Sequence, residues 1–154
     1  MCGIYGGFWQ GVEIPRRKLE TACDLLRNRG PDDQGEIVFD LSYGSIVLGH
    51  TRLAIIDLTA GGHQPMISRD GRYTIVYNGE IYNYRELRTE LKLLGYVFGT
   101  DSDTEVLINC WAEWGEKCLP RFIGMFAFVV YDKINNELIM ARDAFGIKPL
   151  FYSF

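Results

Sequence analysis

The sequence predicts an α+β domain whose sheets are largely antiparallel. Segments with strand and helix patterns occur in separate groups along the chain rather than in strict alternation, which favours this class over parallel α/β folds. A turn signal at residues 133–136 joins two strand patterns as a hairpin. The 154 residues suit one domain. Roughly five to eight strands and two or three helices would bury enough apolar surface for it to fold alone.

The first predicted elements are a strand and a helix. Residues 2–9 are apolar and rich in glycine, which is typical of a strand that approaches other backbone closely. Pro15 can open a helix because its fixed φ suits a first helical turn, and Gly30 is a plausible stop. One face of this helix carries three residues at helical spacing, Leu19, Cys23 and Leu26.

The next segments are predicted as loops and strands. Residues 29–35 are polar and rich in turn formers, which indicates a loop. Residues 36–39 and 45–56 have strand patterns, and a second loop follows at residues 60–65. Residues 73–77 alternate β-branched and aromatic side chains, which favours a third strand in this region.

A turn and a second helix follow that strand. The dipeptide Asn78-Gly79 is a common turn sequence, so the strand is predicted to end there. Asn83 and Glu86 have the spacing of a helix cap with its reciprocal acid, and Gly95 is a stop signal. The leucines between them recur at helical spacing: Leu87, Leu91 and Leu94.

A third helix is predicted from the same capping pattern. Ser102 and Glu105 stand three residues apart at its start, and Gly115 marks its end. Four apolar residues recur within it at helical period: Val106, Leu107, Cys110 and Trp111.

The last third of the chain is predicted to be β-structure. Residues 122–131 and 137–141 form the two strands of the hairpin, and residues 149–154 suggest a final strand. No repeat, low-complexity segment or linker interrupts the chain. A single domain over residues 1–154 is therefore expected.

Composition argues against nucleic-acid and membrane functions. The formal net charge is −4 and no run of like charges stands out, so a nucleic-acid surface is not expected. The longest apolar run, residues 122–131, is shorter than the ~20 residues that a membrane span needs. The first residues lack the basic and apolar regions of a signal peptide. These features predict a cytoplasmic protein.

The four cysteines do not form a recognisable metal or redox pattern. Their spacings match neither zinc sites nor redox motifs, and a disulfide framework is not expected in a reducing compartment. No cluster of His, Cys and Asp has ligand spacing, so no metal site is predicted. Cys23 and Cys110 fall in helical patterns and are interpreted as small core residues.

Cys2 has a distinct chemical interpretation. Removal of Met1 would leave a cysteine that carries the free α-amine of the chain. An α-amine has a pKa of about 7.7–8.0 and a cysteine thiol about 8.5. One residue then holds a nucleophile and a base of matched strength, because the amine can accept the thiol proton and later return it to a leaving group.

Four other residues would suit attack of this thiol on an amino-acid amide. Asn78 and Gly79 can offer a side-chain amide and a backbone N–H to an oxyanion, although an ordinary turn is the favoured explanation of this pair in isolation. Arg52 can bind a carboxylate through two hydrogen bonds, or form a surface salt bridge. Asp103 can accept an α-ammonium group, or simply stabilise a helix start.

Seven segments in order make the chain resemble one family. The sequence is similar to the N-terminal glutaminase domain of asparagine synthetases of the B type, which are class II glutamine amidotransferases. Together the matching segments cover nearly the whole chain. They are CGIYGGF from Cys2, RNRGPDDQG from Arg27, GHTRLAIIDL from Gly49, YNGEIYNYRELR from Tyr77, TDSDTEV from Thr100, GMFAFVVYD from Gly124 and RDAFGIKPLFY from Arg142.

The resemblance implies a fold, a reaction and a set of site residues. The fold is that of N-terminal-nucleophile hydrolases, an αββα sandwich of two antiparallel sheets. The implied reaction is attack of Cys2 on the side-chain amide of L-glutamine, with its α-amine as acid and base and a γ-glutamyl thioester as intermediate. Asn78 and Gly79 would form the oxyanion hole, and Arg52 would hold the substrate carboxylate. The other implied substrate-binding positions are Leu53, Ala54, Ile55, Ile56, Glu80 and Asp103. Asn78 and Gly79 also belong to the substrate-binding set.

The resemblance also implies a partner that this sequence does not contain. Full enzymes of the family have a second domain that binds ATP and magnesium, and its phosphate-loop motif is absent here. We therefore expect a C-terminally truncated glutaminase domain that needs no cofactor itself and supplies ammonia to a synthetase domain in cis or in trans. Asparagine is the leading product, sugar or other amides are rivals, and a homodimer is left open.

Three alternatives remain at the level of sequence. The domain could bind glutamine without catalysis if Met1 is retained, or it could be an amidase of the same fold that acts on another amide. A Cys-His pair with His50 or His63 is the third, and it is less favoured because the terminal amine already supplies a base.

Overall fold

The computed structural model describes residues 2–11 and 14–153, which form two antiparallel sheets and three α-helices. The strands are β1 (Gly3–Gln10), β2 (Asp33–Leu41), β3 (Gly44–Arg52), β4 (Met66–Ile67), β5 (Tyr73–Ile81), β6 (Gly124–Asp132) and β7 (Glu137–Arg142). The α-helices are α1 (Arg16–Leu26), α2 (Tyr84–Leu93) and α3 (Asp103–Trp114). Short 3₁₀ segments cover Arg27–Arg29, Ala60–Gly62 and Gly115–Arg121.

The two sheets lie between helices. The first sheet has the order β1-β3-β2 and the second has the order β4-β5-β6-β7. Helix α1 contacts β1 and β3, whereas α3 contacts β5 and also packs against α2. Contacts of β3 and β1 with β5 join the sheets face to face. The layers therefore run helix, sheet, sheet, helix, which confirms the α+β prediction.

Two apolar clusters hold the layers together. Residues from β3, β5 and β6 fill the space between the sheets, namely Ile46, Leu48, Val76 and Tyr131. A larger cluster joins the second sheet to α2 and α3, and it includes Ile75, Tyr77, Leu91, Leu107 and Phe128. Neighbouring strand residues face opposite sides of a sheet. On β5, Tyr77 therefore faces the helices and Asn78 faces the first sheet.

The bounds of β2 and β3 differ from those predicted. Strand β2 begins at Asp33 rather than Glu36, because Asp33 already pairs with Arg52 of β3. Strand β3 ends at Arg52 rather than continuing to Ile56. Beyond Arg52 the backbone N–H groups bind side chains instead of a strand, since Leu53 donates to Cys2 Sγ and Ala54 donates to Asp32.

The prediction of a turn at Asn78-Gly79 is wrong. Strand β5 continues to Ile81, and Asn78 and Gly79 pair with Ala127 and Phe126 of β6. The glycine permits this close pairing, because a Cβ atom at position 79 would lie 2.3 Å from the carbonyl oxygen of Met125.

The predicted helix starts are correct, but the capping bonds differ. The Asn83 side chain does not cap α2; it donates to the Arg121 carbonyl and accepts from Ile123 N–H, which ties the helix start to the segment before β6. Ser102 does cap α3, accepting from Thr104 N–H at 3.0 Å. Glu105 instead accepts the N–H groups of the preceding loop, at Gly99 and Thr100.

Two further expectations are corrected, and one strand was not predicted. Residues 149–153 have no regular structure where a last strand was predicted, and Phe154 lies outside the described residues. The two-residue strand β4 was not predicted. Cys110 is buried as expected, but Cys23 is only half-buried, because it lies at a cleft between α1 and β2 and contacts the Gln34 side chain.

Candidate active site

A small pocket lies where the two sheets, the segment after β3 and the start of α3 meet. Its volume is about 270 Å³, near the lower limit of the ~300–1,000 Å³ of typical ligand sites, as suits a small substrate. Nine of the predicted site residues line it: Cys2, Arg52, Leu53, Ile55, Ile56, Asn78, Gly79, Glu80 and Asp103. Ala54 does not line it. Its N–H donates to the Asp32 carboxylate.

Cys2 is held at the start of β1 by contacts to its backbone and its sulfur. Its carbonyl accepts a hydrogen bond from Arg29 Nε at 3.1 Å. Its Sγ lies 3.4 Å from the backbone nitrogen of Leu53 and 3.7 Å from the Leu53 carbonyl oxygen. Burial raises the pKa of the Cys2 thiol above its usual value, although Leu53 N–H and Arg52 oppose this effect. The sulfur is therefore held as a neutral thiol, and attack on a substrate requires a base.

The Arg52 guanidinium is fixed inside the pocket wall. The residue is 7% exposed, and its Nη1 donates to the Thr59 carbonyl at 2.8 Å. Its Nη2 donates to the carbonyl of Asp57. Segment 57–62 wraps closely around it, and a Cβ atom at Gly62 would collide with Nη2. A guanidinium has five N–H donors, so these two bonds orient it without using its full capacity to bind an anion.

The edge of β5 presents a backbone donor to the pocket. Strand β6 occupies one edge of β5, and the N–H groups of Tyr77 and Ile81 point to the other edge. Gln64 Oε1 accepts the first at 2.6 Å and Asp103 Oδ2 accepts the second at 3.2 Å. Backbone N–H groups alternate between the two edges of a strand. Gly79 lies midway between these residues and therefore directs its N–H to the same edge, into the pocket.

The Asp103 carboxylate is buried at the first turn of α3. It is 6% exposed, and its Oδ2 accepts from the Tyr77 hydroxyl at 2.9 Å and from Ile81 N–H at 3.2 Å. Burial raises the pKa of Asp103, and these two hydrogen bonds lower it in part. Asp103 shares the pocket with two other acidic side chains, Glu80 and Asp57, and with two cationic ones, Arg52 and Lys148.

Sequence reasoning missed six residues that also line the pocket. They are Asp57, Tyr77, Thr104, Met125, Ile147 and Lys148. The last two are brought there by a turn in which the Asp143 carboxylate accepts their N–H groups at 2.9 and 3.0 Å. The acid at the start of Asp-x-x-Gly in residues 143–146 was a turn signal that could have placed this segment.

The two histidines do not pair with Cys2. His50 is fully buried and its Nε2 lies 3.0 Å from the Tyr77 carbonyl oxygen. Its Nδ1 has no hydrogen-bond partner within residues 2–11 and 14–153. His63 is exposed and contacts Asp33 through Nδ1 at 2.7 Å. These contacts do not support either histidine as the base for Cys2.

The described part of the chain has neither a candidate membrane-spanning helix nor a candidate metal cluster. Over residues 2–11 and 14–153, no helix combines the length and apolarity that crossing a bilayer requires. Over the same ranges, no group of three or more His, Cys, Asp or Glu side chains is placed to hold a metal ion. The expectations of no cofactor and of a cytoplasmic location stay predictions. Met1, whose loss would free the α-amine of Cys2, lies outside the described residues.

Sequence comparisons place the chain in a known family. The model of the glutamine amidotransferase domain family matches residues 1–154. Asparagine synthetase [glutamine-hydrolyzing] 1 of Bacillus subtilis is 47% identical over 99% of this chain and 24% of its own length. Asparagine synthetase [glutamine-hydrolyzing] 3 of the same organism is 42% identical over 99% of this chain and 25% of its own length. A putative asparagine synthetase of Methanocaldococcus jannaschii is 39% identical over 99% of this chain and 32% of its own length.

A structural comparison supports the same fold. Glutamine phosphoribosylpyrophosphate amidotransferase of B. subtilis superposes with a TM-score of 0.69 over 91% of this chain and 37% of its own, at 23% identity. The chain thus spans between about a quarter and a third of the relatives named above. Together with the two antiparallel sheets, these matches confirm the fold and the family that the sequence resembles: the chain belongs to the glutamine amidotransferase family.

Proposed function

We propose that this domain hydrolyses L-glutamine to glutamate and ammonia through a γ-glutamyl thioester on Cys2. The observation that carries the proposal is the content of one small pocket. A thiol, a fixed guanidinium, the carboxylates of Asp103 and Glu80 and a strand-edge N–H line it together. This combination suits a free amino acid that carries an amide.

The proposed chemistry needs a base because burial keeps Cys2 protonated. The α-amine of Cys2, free once Met1 is removed, accepts the thiol proton as Sγ attacks the side-chain carbonyl carbon. Asn78 and Gly79 N–H donate to the oxyanion. The proton passes to the amide nitrogen, the C–N bond breaks and ammonia leaves. Water then attacks the thioester, which releases glutamate and restores the thiol.

The proposed binding mode uses the charges of the pocket. The α-carboxylate of glutamine binds the Arg52 guanidinium, whose planar donor array suits a carboxylate. The α-ammonium binds Asp103 and Glu80, on the side of the pocket formed by α3 and β5. The backbone of the segment after β3 forms the remaining wall, with Leu53, Ile55 and Ile56 facing the ligand.

We further propose that the ammonia serves a synthetase domain that binds ATP and magnesium, in the same polypeptide or in a partner. The relatives named above are glutamine-hydrolysing asparagine synthetases and are three to four times longer than the matched region. Asparagine is therefore the favoured product, ahead of sugar amides or other amides. The glutaminase domain itself needs no cofactor for the proposed steps.

The test compares Cys2→Ala with the unmodified protein, after intact mass has established that Met1 is absent. Glutamate and ammonia are assayed after incubation with L-glutamine. We expect hydrolysis to fall by at least about a thousandfold, since the nucleophile is lost. Cys23→Ala is the matched control, because this thiol lies at a different cleft, and it should retain full activity.

Three results would decide against the proposal. Equal hydrolysis by Cys2→Ala and the unmodified protein would remove Cys2 as the nucleophile. Hydrolysis of other γ-substituted amides but not of glutamine would favour an amidase with the same fold. A mature protein that keeps Met1 and binds glutamine without turnover would instead be a glutamine-binding module.

A further inference from the structure

Tyr77 is the residue at which three separate parts of the site meet. Its N–H donates to Gln64 Oε1 at 2.6 Å, and its carbonyl oxygen lies 3.0 Å from His50 Nε2. Its hydroxyl donates to Asp103 Oδ2 at 2.9 Å. The three partners come from the segment before β4, from β3 in the opposite sheet and from α3, and each is at most 6% exposed.

The backbone bonds fix where the Tyr77 ring can go. Gln64 also donates through Nε2 to Thr104 Oγ1 at 3.2 Å, so it ties the edge of β5 to the first turn of α3. With its N–H and carbonyl both held, Tyr77 has little freedom to shift along the strand. The ring is 2% exposed and packs in the cluster between β5 and the helices.

The hydroxyl bond determines how the Asp103 carboxylate is oriented. The Tyr77 hydroxyl and Ile81 N–H donate to the same oxygen, Oδ2. Two donors from β5 on one oxygen hold the carboxylate against rotation. Tyr77 is followed directly by Asn78 and Gly79, so the strand that holds the Asp103 carboxylate also carries the proposed oxyanion donors.

We propose that Tyr77 is a positioning residue that holds Asp103 at a set distance from Asn78 and Gly79, so that the α-ammonium and the scissile amide of glutamine are bound in register. This inference rests on the proposed glutaminase function and adds a determinant of substrate affinity to it. Tyr77 acts through Asp103 and takes no part in bond making.

A phenol also suits the electrostatics at this position. Burial disfavours the ionised form of Asp103, and the hydroxyl donor favours it. The other charged or titratable groups that line the pocket around Asp103 are Glu80 on β5, Arg52 on β3, Asp57, Cys2 and Lys148. Glu80 opposes ionisation of Asp103. The Tyr77 hydroxyl therefore helps to keep an anion available to the ammonium group.

The test is Tyr77→Phe, which removes one oxygen and keeps the ring. We expect the KM for L-glutamine to rise about tenfold, because a hydrogen bond to a charged group is lost, while kcat changes by less than about twofold. Without the hydroxyl the pKa of Asp103 rises, so the acid limb of kcat/KM moves to higher pH. Tyr73→Phe is the matched control: it is a buried tyrosine on the same face of β5 outside the pocket, and it should change neither quantity.

A substrate analogue separates positioning from a general packing effect. Glutarate monoamide has the same amide and carboxylate but lacks the α-ammonium, so Tyr77→Phe should leave its KM unchanged. An unchanged KM for glutamine, an equal rise for the analogue, an equal effect of Tyr73→Phe, or loss of cooperative thermal melting in Tyr77→Phe would each overturn the assignment. Absence of glutamine hydrolysis by the unmodified protein would instead remove the proposed function and this inference with it.

Discussion

Cys2 differs from Cys110 and Cys118 because it lines the pocket. Burial raises the pKa of Cys2, raises that of Cys118 to about 12 and raises that of Cys110 as well. Cys110 and Cys118 are fully buried and lie outside the pocket, so they are inert core residues. A raised thiol pKa is unfavourable for a nucleophile that acts alone. The proposed α-amine on the same residue removes this difficulty.

His50 gives a prediction about stability and pH. Burial of its imidazole lowers the pKa to about 4 from the usual 6.5. Below pH 6.5 the unfolded chain therefore binds a proton that the folded chain refuses, and the free energy of unfolding falls as pH drops toward 4. The difference corresponds to about 3 kcal/mol. Urea titrations at pH 7 and pH 4 should show a smaller loss in His50→Gln, whose amide can still donate to the Tyr77 carbonyl.

The control for this prediction is His63→Gln at the exposed histidine. Other groups also titrate in this range, so the informative quantity is the difference between the unmodified protein and each variant. An equal pH dependence in His50→Gln and the unmodified protein would show that His50 is not a buried neutral imidazole.

Strand β5 illustrates what a local pattern can and cannot predict about an element. The alternation of residues 73–77 correctly predicted a strand, but the turn sequence Asn78-Gly79 wrongly predicted the end of that strand. Pairing with β6 overrides the turn preference, and the glycine serves the close approach of Met125 rather than a turn. Both residues still line the pocket, and strand alternation directs the Gly79 N–H to the edge of β5 that faces it.

Gly79→Ala tests the requirement for glycine inside β5. A Cβ atom at this position would lie 2.3 Å from the Met125 carbonyl oxygen and 2.7 Å from the Phe126 Cα, both of which are backbone atoms. We expect the free energy of unfolding to fall by about 1–3 kcal/mol and glutamine hydrolysis to fall with it, measured by urea titration and by glutamate release.

Gly99→Ala is the matched control for that substitution. The nearest atom to its added Cβ would be Glu105 Oε1 at 3.9 Å, which is ordinary contact. Its stability should change by less than about 0.5 kcal/mol. A stability of Gly79→Ala equal to that of Gly99→Ala would contradict the described packing of β5 on β6.

At the scale of the whole molecule, the second sheet is the layer that both apolar clusters share. Val76 packs between the sheets and Val130 packs against the helices, and each is at most 1% exposed. Because β5 and β6 belong to both clusters, the four layers should unfold as one unit.

Val76→Ala and Val130→Ala test this cooperativity. Each should lower the free energy of unfolding by about 2 kcal/mol. Native-state hydrogen exchange of the slowest amides in β3 and in α3 should speed up equally in both variants. Faster exchange in β3 alone for Val76→Ala, or in α3 alone for Val130→Ala, would show that the two halves open separately.

The sequence predicted which residues line the pocket better than it predicted the bounds of the surrounding strands. Cys2, Arg52, Asn78 and Asp103 are far apart in the chain, and matched motifs brought them together as a set. Tyr77 and Lys148 were missed because no local sequence pattern marks them as pocket residues. A buried aromatic residue or a lysine after a turn has the same pattern whether it lines a pocket or packs elsewhere. The end of β3 at Arg52 was missed because side chains, Cys2 and Asp32, replace the strand partner there.

We propose that the sulfur of an N-terminal Cys2 attacks the amide of bound glutamine. Covalent labelling with a diazoketone analogue of L-glutamine is the sharpest test of this attack. The protein is treated with the analogue, and the adduct is located by mass spectrometry of its peptides. We expect one adduct per chain, on Cys2 of a polypeptide that lacks Met1, with protection by excess L-glutamine. An adduct on any other residue, or labelling of Cys2 that glutamine does not slow, would contradict it.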